Sequence, residues 1–120
     1  MEISNYIDIS FLDQLTEGNA ERKQFYISTF IDEAVPLVEQ VISGSTNGQW
    51  DQVRKAAHSL KPQLHYVGAN QTEKLVSVIE ELANEPLHTN ELFIKINQLK
   101  METEIIISEL QKELRNSLKG

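Results

Sequence analysis

The sequence predicts an all-α protein: an antiparallel four-helix bundle with a short additional N-terminal helix. Apolar residues recur at intervals of three and four through four long segments, the period a half-buried helix requires. Short turn-rich stretches separate those segments, which favours antiparallel neighbours. No segment alternates with period two for long enough to form a strand.

The elements follow in order. Asp8 is a good N-cap for a short amphipathic helix with Ile9, Leu12 and Leu15 on one side. "TEGNA" breaks it, and Asn19 can cap the second helix. That helix carries Ile27, Phe30, Ile31, Ala34, Val35, Val38, Val41 and Ile42, and Pro36 is expected to interrupt and bend it. "SGSTNG" (43–48) reads as a turn. A third helix is expected from Asn47–Trp50 to about Tyr66, ended by "VGANQ", in which Gly68 suits a left-handed position. A fourth covers roughly Gln71 to Ala83, and "NEPLHTN" is a loop. The fifth runs from about Asn90 to Leu118 with Leu92, Ile96, Leu99, Ile106 and Leu110 on its main stripe. At about 42 Å it should fray or project at its end.

The chain has 120 residues, so a single domain spanning 1–120 is expected, large enough to bury roughly two-thirds of its unfolded surface. It contains no cysteine, which removes disulfides and thiolate chemistry. No apolar run approaches membrane-spanning length, and "MEISNYIDIS" lacks the basic and apolar regions of a signal peptide, so a cytoplasmic location is expected. The net charge of −7 argues against nucleic-acid binding. The charge is unevenly spread. Residues 1–50 carry two basic and eight acidic side chains, and residues 71–120 carry six and nine. Residues 51–70 instead hold Arg54, Lys55 and Lys61 against Asp51 alone. An excess this small also arises by chance.

The third helix resolves into stripes. Trp50, Val53, Ala57, Leu60, Leu64 and Val67 form a core seam. One position along, Arg54, His58, Lys61 and His65 form a polar, basic stripe on the shoulder of the bundle. His58 and Lys61 share a face, which sets an imidazole beside a cation on a rigid scaffold. A neutral imidazole is nucleophilic at physiological pH without an activating base. Phosphoryl transfer asks mainly for positioning and for positive charge near the phosphoryl oxygens, which Lys61 can supply, with a weaker field from Arg54 and Lys55. No glycine-rich phosphate loop or metal-binding acidic pair is visible, so ATP or Mg²⁺ would come with another protein. On spacing alone, an ordinary surface His and Lys pair fits equally well.

"AAHSLKPQLHYVGA" (56–69) resembles the signature of histidine-containing phosphotransfer domains, A-H-x-L-K-G-x-x-x-x-x-G-A. Ala57, His58, Leu60, Lys61, Gly68 and Ala69 match in place. "YIDISFLDQLTEGNAERKQFYISTFIDEA" is similar to the family's N-terminal pattern, and "VIEEL" puts Ile79 and Glu80 where a Leu-Glu pair is usual. The likeness covers nearly all of residues 6–84. It implies that His58 is the phosphoacceptor and Lys61 the residue that helps hold the phosphoryl group. It also implies receiver domains of response regulators and hybrid histidine kinases as partners, their aspartate and Mg²⁺ completing the chemistry. The chain would then need no cofactor of its own and would work as a carrier, not an enzyme. Arg54, Lys55, Ser59, Pro62 and His65 border the acceptor and are expected to meet the partner, joined by apolar side chains such as Phe11 or Leu15. A monomer is expected, because the site must stay open.

One departure stands out: Pro62 follows the lysine where the family usually has glycine. It removes a hydrogen bond to the His58 carbonyl and should kink the helix there. The alternative function is therefore a silent bundle acting as an adaptor or inhibitor of kinase and response-regulator signalling. A third reading, an enzyme with His58 as general base, lacks a visible partner carboxylate or oxyanion motif. "EPLH" (85–88) spells the E-x-x-H of di-iron bundles, but only once and across a proline, so it reads as loop. Ile105, Ile106 and Ile107 cannot all face one seam, and the acidic faces of the second and last helices read as solvated surface.

Overall fold

The computed structural model describes residues 6–85, 87 and 89–119, with side chains to residue 116. Among these are five helices and no strand: α1 (Ile9–Leu15), α2 (Ala20–Thr46), α3 (Trp50–Tyr66), α4 (Asn70–Asn84) and α5 (Thr89–Lys119). The all-α bundle expected from periodicity is the fold. Of the E-x-x-H stretch, Pro86 and His88 lie outside the described residues.

Caps set the boundaries. The Asp8 carboxylate accepts from the Phe11 N–H at 3.1 Å, and Asn19 Oδ1 accepts from the Arg22 N–H at 2.9 Å. Each occupies an orphan donor of a first helical turn. At the other end, α3 closes in a Schellman motif: the Gly68 N–H donates to the His65 carbonyl and the Ala69 N–H to the Leu64 carbonyl. Gly68 takes φ +68, and a Cβ there would lie 2.6 Å from the Asp8 Cβ. The α3–α4 turn and the start of α1 therefore touch backbone to backbone.

The expected turn at 43–48 begins too early: α2 continues to Thr46. Ser45 and Thr46 direct their hydroxyls back to the Ile42 carbonyl, at 2.7 and 3.0 Å, which keeps these turn-prone residues compatible with helix. Gly44 also fits only as glycine, since a Cβ would stand 2.9 Å from Val53 Cγ2. Pro36 and Pro62 interrupt neither helix, contrary to the expectation for Pro36. α5 stays helical to Lys119, so of the expected fraying or projection of its end the fraying is not seen.

α3 packs between α2 and α4, and α5 closes the bundle against the same two helices. α3 and α5 are thus diagonal, which frees the outer face of α3. The core comes from Ile27, Phe30, Ala34, Val38 and Val41 of α2, the α3 seam, Val76, Ile79 and Ala83 of α4, and the α5 stripe. Trp50, the first residue of the α3 seam, is only half-buried and leans on Phe93, with ring centroids 6.3 Å apart. Of the isoleucine triplet, Ile106 is buried, Ile107 half-buried and Ile105 exposed.

Two polar clusters tie elements together. Lys23 on α2 is only 8% exposed and pairs with Asp13 of α1 and with Glu113 of α5, the latter at 3.0 Å. Inside the α4–α5 contact, buried Glu102 accepts from Thr72 Oγ1 at 2.6 Å and from Gln98 Nε2 at 2.7 Å. A buried carboxylate needs such donors, and these also fix the register of α4 on α5.

Candidate functional site

The outer face of α3 carries the polar stripe, and α4 supplies what the stripe lacks. Glu80 bridges two of its members: Oε2 lies 2.8 Å from His58 Nδ1, and Oε1 accepts from Lys61 Nζ at 2.6 Å. The Lys61 hydrogen bond is the largest influence holding the Glu80 carboxyl below its ordinary value; partial desolvation opposes it and His58 adds to it. The carboxyl is therefore ionised at neutral pH. An ionised carboxylate only accepts hydrogen bonds, so Nδ1 of a neutral His58 ring carries the proton. Nε2 is left with the lone pair. The side chain is 70% exposed, so that lone pair is open to another molecule. Lys61 is 27% exposed and fixed beside it.

Antiparallel pairing of α3 and α4 across the tight turn at Gly68 brings Glu80 here from 22 residues away. The same register yields a second pair one heptad further on: His65 Nδ1 stands 3.6 Å from Glu73 Oε1. That distance is too long for a hydrogen bond. His65 also has Gly68 at the i+3 position where His58 has Lys61. The two histidines, alike in sequence, are thus unlike in surroundings.

The remaining α3 candidates lie on or beside this face, and Phe11 reaches it from α1. Arg54 is partly committed: it pairs with Asp51 at 2.8 Å and reaches Asn84 Oδ1 at 3.5 Å. Lys55, Ser59 and Pro62 are exposed. Phe11 of α1 packs edge-on against His65 with centroids 5.5 Å apart, and Tyr66 links His65 (6.4 Å) to Tyr26 of α2 (6.1 Å). Aromatic surface therefore adjoins the C-terminal half of the stripe, and Phe11 belongs to it. Leu15 is half-buried at the end of α1. Glu80 was not among the site residues expected from sequence; its signal was the acidic position 22 residues beyond the histidine, whose meaning depends on the hairpin.

Fold and face together define a class: an all-α bundle that holds a nucleophilic imidazole on its surface, oriented by a carboxylate and flanked by an ammonium. The chain matches the family model of the Hpt domain over residues 26–116 and belongs to that family. Hpt domains are phosphoryl carriers of phosphorelays and interact with receiver domains. α1 precedes the matched stretch. Comparisons with curated proteins and with solved structures return no match. No helix among the described residues is long and apolar enough to cross a membrane.

Proposed function

We propose that His58 accepts a phosphoryl group from the aspartyl phosphate of one receiver domain and passes it to the aspartate of another. The observation that carries this reading is Glu80, which joins the exposed imidazole and the ammonium in one rigid triad. In the forward step Nε2 attacks phosphorus, an N–P bond forms, and the P–O bond to the aspartate breaks, releasing its carboxylate. Nδ1 keeps its proton throughout. The phosphorylated ring is then a cation whose charge faces Glu80, which stabilises it while leaving the N–P bond labile for the return step. Lys61 neutralises phosphoryl oxygens as a point charge. In this reading Mg²⁺ sits in the receiver, and the chain brings no cofactor of its own.

His65 is the internal comparison. It lacks the short carboxylate contact and the i+3 lysine, so the reading assigns acceptance to His58 alone. Incubation with a panel of ³²P-labelled receiver domains tests it, with mass spectrometry under mildly alkaline conditions to locate the acid-labile group. The expected result is label on His58, absent from His58→Gln and returned to a fresh receiver. A folded protein that binds a phosphorylated receiver and takes no label would overturn it in favour of the silent adaptor.

A further inference from the structure

Each of the two helices that meet beside His58 contains an exposed interior proline: Pro36 in α2 and Pro62 in α3. Three cross-contacts set the register of this antiparallel pair. Gln52 Nε2 donates to the Gln40 carbonyl at 3.1 Å, Gln63 Nε2 donates to the Glu33 carboxylate, and Tyr66 lies against Tyr26. Interpolated between these contacts, Pro36 lies at about the height of His58 along the pair, and Pro62 at about that of Asp32. Proline has no N–H, so neither the Asp32 carbonyl nor the His58 carbonyl receives the i+4 bond of a regular helix. Asp32 and His58, the residues that carry these two carbonyls, are both exposed.

Interior helical prolines are strongly unfavourable compared with alanine. Here both are exposed, so little core packing offsets them. The one at 62 acts on the very residue that carries the nucleophile. Its ring also stands one turn from the imidazole on the outer face, between His58 and Tyr66.

We infer that Pro62 is a specificity-determining residue of the transfer reaction: by withholding its N–H it leaves the His58 carbonyl to accept a hydrogen bond from the docked receiver domain. The partner's contribution is an N–H donor, from its backbone or from a lysine or arginine, placed next to its phosphoaspartate. A bond to the backbone of the nucleophilic residue itself locates Nε2 relative to phosphorus with few intervening torsions, and alignment of this kind governs rate. A receiver without that donor leaves the carbonyl unpaired at the interface and is disfavoured. The inference rests on His58 being the phosphoacceptor.

Pro62→Ala and Pro62→Gly both restore the N–H and close the carbonyl within the helix. Each is compared with wild type in two assays: transfer from receivers that serve the wild type, and labelling by phosphoramidate, a small donor that needs no docking. The expected result is a loss of about tenfold in kcat/KM with receivers in both variants, the scale of one hydrogen bond. Phosphoramidate labelling of His58 should stay within about twofold, and the thermal midpoint of Pro62→Ala should rise. Unchanged receiver kinetics in both variants would overturn the inference. So would a loss confined to Pro62→Gly, which assigns the effect to side-chain bulk, or an equal loss with phosphoramidate, which assigns it to damage at His58. Wild-type protein that takes label from neither donor overturns the His58 reading, and this inference with it.

Discussion

His58 owes its proposed reactivity to a single carboxylate. Glu80→Gln keeps the shape of the bridge but loses the obligatory acceptor, so the proton on the His58 ring is no longer confined to Nδ1. Nitrogen-detected NMR should show the neutral ring shifting toward the Nε2–H tautomer, and transfer from a receiver should fall by about tenfold. His58→Gln, by contrast, should leave stability within about 0.5 kcal/mol in urea melts, because the ring is exposed and Glu80 keeps Lys61. A different residue is structural. Gly68→Ala puts a Cβ into Asp8 at a left-handed φ, and should cost about 2 kcal/mol or more in the same melts.

Between helices, the α3–α4 bridge carries a pH signature. Glu80 titrates below its ordinary value in the folded protein, chiefly because of the Lys61 hydrogen bond. A depressed carboxyl pKa contributes stability above the unfolded value, near 4.5, and loses it as pH falls through the lowered one. The stability difference between wild type and Glu80→Gln should therefore shrink as pH falls below about 4.5 and through the lowered value, as pH-dependent urea melts will show. Lys23 has the opposite sign. Desolvation lowers its pKa, but the hydrogen bonds to Asp13 and Glu113 outweigh it and the value is raised. Its contribution is present below about 10.5 and lost as pH rises through the raised value. Lys23→Met should cost about 1–3 kcal/mol at neutral pH, because two partly buried carboxylates lose their shared cation.

For the molecule as a whole, the diagonal placement of α3 and α5 separates stability from chemistry. The core is sealed by α2, α4 and α5 against the inner seam of α3, while the outer face of α3 bears little of the packing. A phosphoryl group on His58 should therefore leave the fold intact. Amide NMR of the phosphorylated protein should show shifts confined to the outer face of α3, the α4 turn around Glu80 and the adjoining part of α2. The elongated bundle, 49 × 23 × 19 Å, presents that face along its side, where a globular partner can reach it.

The sequence by itself determined the helices and their inner faces. A period of 3.6 in the apolar residues, Asp8 and Asn19 as caps and Gly68 as a left-handed stop are local instructions, read within a few residues of where they act. Periodicity also put His58 and Lys61 on one shared face, and the resemblance of residues 56–69 to the family signature singled the pair out. The end of α2 was less legible, because residues 43–46 are turn-formers held in helix by hydroxyl bonds to Ile42 and by the close approach of Val53. Only the tertiary structure showed that a carboxylate bridges His58 and Lys61, while the contact at His65 is longer. The Glu80 bridge and the weaker Glu73 contact each depend on how two helices slide past one another. That register is set by side chains meeting across the bundle, and no spacing within a single helix encodes it.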